Sequence, residues 1–179
     1  MSIFDKLKTA AQAVAGNSQQ TITFAALPES VDEMRQLPQA SLDSPFKTAA
    51  LTVCALCAYA AEPSIGTAML NFLKGPQPLS PADIQFLQDR FRGQQYLPFS
   101  YFAGATPENN YTPSEPFTVT VESNPYSYSN PDRAVLYIKS GGGDSPRPVT
   151  LRKKGDQWFL WEQSLMVGIR QPKSQDPWA

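Results

Sequence analysis

The chain has 179 residues, of which 41% are hydrophobic and 17% charged, enough for one sizeable core within a single domain. Its formal net charge of -1 excludes the strong positive field that draws proteins to nucleic acid without sequence preference. The sequence contains no histidine, which excludes His-based catalytic triads and His-containing zinc sites, and we expect neither a metal nor a cofactor.

Residues 2–15 form the first predicted element, an amphipathic helix. Ser2 is placed to cap it and Gly16 to end it. The apolar face is predicted either to pack on the same domain or to dock on a partner, with a membrane surface the weaker form of the second alternative. The segment lacks the long apolar run of a secretory signal, so we expect a cytoplasmic protein without a transmembrane segment. Its apolar face comprises Ile3, Phe4, Leu7, Ala11 and Val14.

Residues 17–42 read as a linker that includes an edge strand near residues 21–27 and a short helix. Ser30 and Glu33 have the spacing of a capping box for that helix. Three longer helices are predicted next, each with a Ser or Pro signal at its start, over residues 46–61, 64–73 and 80–92. The first of these three is apolar on all sides, which predicts a buried central helix.

Cys54 and Cys57 have C-x-x-C spacing, but both lie well inside this apolar helix. A redox pair requires its first sulfur at an exposed helix N-terminus, so we predict two buried, reduced thiols.

The second half of the chain predicts strands. Aromatic residues 96–102 suggest one strand, and alternating patterns suggest strands at residues 117–122, 134–139, 149–154 and 157–162. The last two join through Gly155-Asp156, the residue order of a type II′ hairpin, which places Leu151 opposite Leu160 and Arg152 opposite Phe159. A further short strand is predicted at residues 165–169.

These elements predict an α+β fold in which N-terminal helices pack on a C-terminal antiparallel sheet of about four to six strands. The predicted organisation has four parts. They are the amphipathic helix at residues 1–16, the linker at 17–42, the α+β domain at 43–169 and a polar tail at 170–179.

A basic cluster in the last hairpin carries the binding prediction. Guanidinium and ammonium groups interleaved with aromatic rings can hold an anionic ligand, a nucleic acid strand or an acidic partner. The alternative is a solvated sheet face with a cation-π contact, since neighbouring strand residues alternate sides. Two loop tyrosines are added as a ligand rim, although Tyr in Pro-rich turns often only packs. The candidate binding residues are Arg147, Arg152, Lys154, Phe159, Trp161, Tyr126 and Tyr128.

No catalytic residue is assigned. Glu108, Glu115, Glu122 and Asp132 lie near the predicted strand ends, yet no spacing pairs two of them, and acidic loop residues are usually solvated. The run of residues 141–143 is not a phosphate loop, because no Lys-Ser/Thr pair and no helix follow it.

The segments YFAGATPENNYTPSEPFTVTV and YIKSGGGDSPRPVTLRKKGDQWFLWE resemble those of a family of uncharacterised bacterial proteins, recorded only as a domain of unknown function. The resemblance covers the chain from about Asp43 onward and implies no catalytic or binding residues. The order of helices followed by a curved sheet is also similar to the cone-shaped fold of the steroid isomerase and scytalone dehydratase class. That similarity implies a pocket between sheet and helices.

Two functions follow as hypotheses. The favoured one is a non-catalytic cytoplasmic binding or assembly module, which uses the face of Arg152, Phe159 and Trp161 or the first helix, with no specific nucleic acid expected. The second is a small-molecule pocket protein, an isomerase or hydrolase whose acid or base is a loop carboxylate. The missing histidine argues against an enzymatic role.

Overall fold

A computed structural model describes residues 18–179 of the chain. The helix predicted at residues 2–15 and its proposed docking therefore lie outside the described residues. The predicted α+β class is confirmed, because residues 18–179 form four α-helices and a five-stranded antiparallel sheet. The helices are α1 (Val31–Gln36), α2 (Pro45–Ala61), α3 (Pro63–Lys74) and α4 (Pro81–Phe91). The strands are β1 (Gln19–Phe24), β2 (Phe117–Glu122), β3 (Arg133–Ile138), β4 (Arg147–Lys154) and β5 (Gln157–Gln163).

The sheet is a simple antiparallel meander with the spatial order β1-β2-β3-β4-β5. The edge strand predicted before the helices is confirmed as β1, which pairs along its whole length with β2. Residues 19–24 of the predicted linker therefore belong to the sheet. Alternating residues of β2, β3 and β4 are buried on the side that faces the helices.

Helix α2 lies at the centre of the molecule and contacts all five strands as well as α3. Ser44 caps it by accepting a hydrogen bond from the Phe46 backbone at 3.3 Å, and Pro45 occupies its first turn. Cys54 and Cys57 are buried within it and unpaired, as predicted. The helix ends at Ala61 because Pro63 begins α3 with only Glu62 between them.

The β4–β5 hairpin has the predicted register, with Leu151 opposite Leu160 and Arg152 opposite Phe159. Gly155 has a φ of 60°, as the first loop residue of a type II′ turn requires. Further from the loop, the hairpin contains a β-bulge at Thr150 and Leu151. Leu151 pairs with Leu160, but Thr150 pairs with Glu162 instead of Trp161. Trp161 is therefore the additional residue on β5.

Two predicted strands are wrong. Residues 96–102 form a 3₁₀ helix at Leu97–Tyr101, and only Phe102 makes a β-bridge, to Val119. Pro98 lacks the backbone N–H that hydrogen bonding between strands requires. The Ser100 hydroxyl donates to the Leu97 carbonyl at 2.7 Å, a local bond within the 3₁₀ helix. Residues 165–169 form turns, with Gly168 at a φ of 70°.

The polar tail after residue 169 is attached to the domain through two loops. The Arg170 N–H donates to the Gly142 carbonyl at 2.9 Å, and the Tyr111 hydroxyl donates to the Arg170 carbonyl. Lys173 forms an ion pair with Glu108 at 3.4 Å. Trp178, near the end of the chain, is 94% exposed.

Candidate functional site

A half-open cleft of about 530 Å³ lies between the loop that follows α3 and the β4–β5 hairpin. We call it the hairpin cleft. Its volume is within the range of pockets that hold small ligands. Pro76 and Gln77 contribute the loop side, while the hairpin contributes charged and aromatic groups. The charged and aromatic residues that line it are Lys74, Arg152, Lys153, Lys154, Phe159 and Trp161.

The hairpin register explains why Arg152 and Phe159 reach this cleft together. They are direct cross-strand neighbours, so their side chains leave the sheet on the same side, opposite to Leu151 and Leu160 in the core. The bulge shifts Trp161 out of the regular alternation. The cation-π contact named in the alternative interpretation is present, because the guanidinium carbon of Arg152 is 4.6 Å from the Trp161 ring centroid.

Trp161 also contacts a second guanidinium. The guanidinium carbon of Arg133 is 4.3 Å from the same ring centroid. Arg133 lies directly opposite Arg152 across the β3–β4 ladder. Two like charges at directly opposed positions repel each other, and the shared indole ring offsets part of this repulsion through cation-π attraction.

The cations around the hairpin cleft have no acidic partner within residues 18–179. All five ion pairs in this part of the chain lie elsewhere. Among the described residues, no Asp or Glu lines the cleft. Positive charge is therefore concentrated at one place on a chain whose net charge is -1. The cations that line the cleft and form no ion pair within this range are Lys74, Arg152, Lys153 and Lys154. Arg133, which also forms no ion pair there, does not line the cleft but lies against the Trp161 ring that does.

The loop after α3 fixes the second side of the cleft. Lys74 donates from its ammonium to the Trp161 carbonyl at 3.1 Å, which ties the end of α3 to the bulged part of β5. Gly75 then turns the chain with a φ of 65°. A Cβ atom at Gly75 would lie 2.4 Å from Cδ1 of Phe159, so only glycine allows this approach.

Arg147 lies apart from the other candidate residues. Its guanidinium donates to the carbonyls of Val167 at 2.9 Å, Gly168 at 2.6 Å and Ser145 at 2.8 Å. These bonds hold the turn that replaces the predicted strand at residues 165–169. The structure therefore places Arg147 in a framework position and does not bring it into the hairpin cleft.

The two candidate tyrosines lie in the β2–β3 connection, also outside the hairpin cleft. Tyr126 is 78% exposed. Tyr128 lines a separate depression of about 400 Å³ together with Lys153 and Trp158. Of the seven predicted binding residues, the structure brings together Arg152, Lys154, Phe159 and Trp161.

Three cations in or next to the hairpin cleft were not among the predicted binding residues. Lys74 is distant in sequence and reaches the hairpin only through the packing of α3. Arg133 was overlooked because its position opposite Arg152 depends on the β3–β4 register. Lys153 was not a candidate because strand alternation places it on the other face from Arg152, yet it lines the cleft.

Three of the four loop carboxylates, Glu108, Glu115 and Glu122, lie in separate surroundings. Glu122 pairs with Lys139 at 3.0 Å and Glu108 with Lys173 at 3.4 Å. A backbone hydrogen bond lowers the pKa of Glu108. Glu115 lies at another concavity, of about 770 Å³, whose walls are mostly apolar. This arrangement offers no carboxylate pair for general acid-base catalysis among the described loops.

Metal and thiol chemistry find no support among the described residues. Residues 18–179 contain no group of three or more His, Cys, Asp or Glu side chains that would hold a metal ion. Burial raises the pKa of Cys54 and of Cys57 above the usual range, so both thiols stay protonated and unreactive near neutral pH. In the same residues no helix has the length and apolar character needed to cross a membrane.

Comparison with known proteins gives one result. Residues 26–173 match the profile of a family described as "Domain of unknown function (DUF6935)", a longer match than the resemblance from Asp43 onward had indicated. No curated protein and no solved structure matches the chain. The similarity to the cone-shaped steroid isomerase and scytalone dehydratase class therefore stays a prediction.

Proposed function

The chain belongs to the family described as Domain of unknown function (DUF6935), and from this premise we propose that it is a non-catalytic binding module. The hairpin cleft is the binding surface, and its ligand is anionic. Arg152 and Lys154 attract the ligand, while Phe159 and Trp161 supply apolar contact.

One observation carries this proposal. Lys74, Arg152, Lys153 and Lys154 line one concave surface that no carboxylate of residues 18–179 enters. None of these four side chains forms an ion pair within that range, whereas the five ion pairs present there lie elsewhere. The four positive charges repel one another, and a bound anion would reduce this repulsion.

The enzymatic alternative has less support. An isomerase or hydrolase of the cone-shaped class would use a carboxylate in a pocket. The described carboxylates lie apart, and the residues that line the hairpin cleft supply cations, aromatic rings and apolar groups. A concave site of ligand size nevertheless agrees with the small-molecule part of that hypothesis.

The remaining parts of the proposal concern location and partners. We infer a cytoplasmic protein, in keeping with the free thiols of Cys54 and Cys57. We expect no specific nucleic acid, given the net charge of -1. Partner docking through residues 2–15 is a separate hypothesis, and removal of residues 1–16 before affinity capture tests it.

The decisive experiment compares what copurifies with three forms of the full chain from its native cell at low salt. These are the wild type, Arg152→Glu with Lys154→Glu, and a control with Arg92→Glu and Lys173→Glu. Both double variants change the net charge by the same amount. Mass spectrometry of the eluates covers small molecules and proteins.

We expect an anionic species with the wild type and with the control that disappears with the cleft variant. Arg92 and Lys173 are exposed and lie outside the cleft, so their reversal reports only on overall charge. If all three forms carry the same set of molecules, the hairpin cleft is not the binding surface.

A further inference from the structure

We propose that the hairpin cleft binds the phosphate group of a small phosphorylated ligand, with Arg152 and Arg133 as its principal contacts. This inference rests on the proposed function, since it names the chemical class of the anion. Three features of the cleft support a phosphate: the pair of guanidiniums, the amount of positive charge and the apolar side.

The two guanidiniums are preorganised by Trp161. Their carbons lie 4.3 Å and 4.6 Å from the centroid of the same ring, so the ring restricts the rotation of both long side chains. An arginine that is already ordered loses less conformational entropy when it forms hydrogen bonds to a ligand. The planar fork of N–H groups matches the oxygens of a phosphate in a bidentate manner.

The number of cations favours phosphate over a single carboxylate. One guanidinium balances the single charge of one carboxylate. The second arginine, directly opposite on the neighbouring strand, would then still be an uncompensated positive charge. A phosphate monoester carries a charge of about -1.5 to -2 at neutral pH and has three acceptor oxygens. It has enough charge to compensate Arg152 and Lys154 in the cleft together with Arg133, which lies next to the cleft as the other cation contact of the Trp161 ring.

A lysine would not fix the orientation of the phosphate, because an ammonium group acts as a point charge. The guanidinium pair specifies orientation in addition to charge. We therefore assign Arg152 and Arg133 to the phosphate oxygens, and Lys153 and Lys154 to the general attraction of anions into the cleft.

The shape of the cleft favours a small ligand. It is half-open and concave, with a volume of about 530 Å³, and Phe159, Pro76 and Leu160 give it apolar walls. A ligand with an aromatic or apolar body and one phosphate group would contact both kinds of surface. A flat surface would instead be expected for docking of a folded acidic protein.

The test uses three probes of similar size: phenyl phosphate, phenyl sulfate and benzoate. Each is titrated into the full chain at constant ionic strength while the indole N–H signal of Trp161 is followed by NMR. A Trp161→Phe variant assigns that signal among the three tryptophans. We expect phenyl phosphate to bind about tenfold more tightly than benzoate at pH 7.5.

The arginines are tested with Arg133→Gln and Arg152→Gln, and Arg92→Gln serves as the control outside the cleft. Each cleft variant should weaken phenyl phosphate binding about tenfold and reduce its advantage over benzoate, while the control leaves both unchanged. The NMR spectrum of each variant verifies that it is folded. An unchanged affinity in a folded Arg133→Gln variant overturns the two-arginine site.

The pH dependence gives a second readout. A phosphate monoester loses its second charge below a pKa of about 6. Phenyl phosphate should therefore bind more weakly at pH 5 than at pH 7.5, whereas phenyl sulfate keeps its single charge and its affinity. Equal pH dependence of the two probes argues against recognition of a dianion.

The outcomes separate this inference from the proposed function. If benzoate and phenyl phosphate bind equally and Arg152→Gln weakens both, the cleft binds anions without a preference for phosphate, and only the inference fails. If no probe shifts the Trp161 signal, the phosphate site is overturned, and the copurification experiment decides the wider proposal. AMP and inorganic phosphate, titrated afterwards, show whether the organic part contributes to affinity.

Discussion

Gly75 shows how one residue determines the width of the hairpin cleft. It ends α3 with a φ of 65°, and a Cβ atom there would overlap the Phe159 ring. Its ψ of -123° lies outside the left-handed helical region, so we predict that Gly75→Ala destabilises the protein by about 1–3 kcal/mol from its backbone conformation, with a further ~1–3 kcal/mol from the overlap. Chemical denaturation measures the free energy of unfolding.

Gly93 provides the matched control. Its φ of 68° is nearly the same, but a Cβ atom at Gly93 would meet no atom of the described residues within 4 Å. Gly93→Ala should therefore lose only the backbone contribution of about 1 kcal/mol. Equal losses for the two variants would mean that Phe159 moves aside without cost. In that case Phe159 is not a fixed wall of the cleft.

The candidate site was partly predictable at this scale. The alternation of strand residues and the Gly-Asp turn placed Arg152 beside Phe159 correctly. The Arg133 contact was not predictable, because it depends on the bulge that displaces Trp161 from the regular pairing. A bulge arises from the balance of several strand contacts and leaves no simple signature in the sequence.

At the scale of secondary-structure elements, α2 is anchored to β5 by a buried hydrogen bond. The Thr48 hydroxyl donates to the Trp158 carbonyl at 2.7 Å, and Thr48 is fully buried. Thr48→Val keeps the side-chain shape but removes the donor. We predict a loss of about 1–3 kcal/mol in the free energy of unfolding, since a buried carbonyl is left without its partner.

Thr52, one turn later in α2, is the control for this change. It is equally buried, and its hydroxyl donates to the Thr48 carbonyl at 2.8 Å within the same helix. Thr52→Val should cost less than Thr48→Val, because the helix remains intact without this local bond. A larger loss at Thr52 would show that the hydroxyl bond to β5 does not anchor the helix. Denaturant midpoints of both variants decide this.

The success of element prediction depended on local signals. Ser80 and Asp83 form the predicted capping box of α4, with hydrogen bonds of 2.8 Å and 3.1 Å. In α1 the box is incomplete, since the Glu33 carboxylate accepts from the Glu29 N–H at 2.8 Å instead of from Ser30. The two wrong strands had apolar or aromatic composition only, and such runs do not distinguish strands from buried turns.

At the scale of the whole molecule, the order of layers followed from the sequence. An all-apolar helix requires burial on every side, and a sheet with one apolar face can cover it. The fold class therefore followed from the apolar patterning of the elements and the signals at their ends. The hairpin cleft did not, because it lies between α3 and β5, and their packing depends on contacts between distant parts of the chain.

The central position of α2 also predicts how stability depends on pH. Burial raises the pKa of Cys54 and of Cys57 above the ordinary value of 9.0, so the folded chain keeps both thiols protonated where the unfolded chain ionises them. Their contribution to stability is complete below this value and is lost as the pH rises above it. Two such thiols should together reduce the free energy of unfolding by about 2 kcal/mol between about pH 9 and about pH 10.

The measurement is urea denaturation at several pH values on the wild type and on a Cys54→Ala, Cys57→Ala double variant. Burial also raises the pKa of five tyrosines above their ordinary value of 10.0, so they add a decline of their own that lies mainly at higher pH and that the double variant keeps. These are Tyr59, Tyr96, Tyr101, Tyr111 and Tyr128. The double variant should lose the part of the decline that the two thiols contribute, about 2 kcal/mol between about pH 9 and about pH 10, whatever its stability at pH 7. If it declines as steeply as the wild type, the two thiols do not remain protonated in the folded chain. The core around α2 would then have to admit water, because a thiolate is not tolerated in a dry, unpaired site.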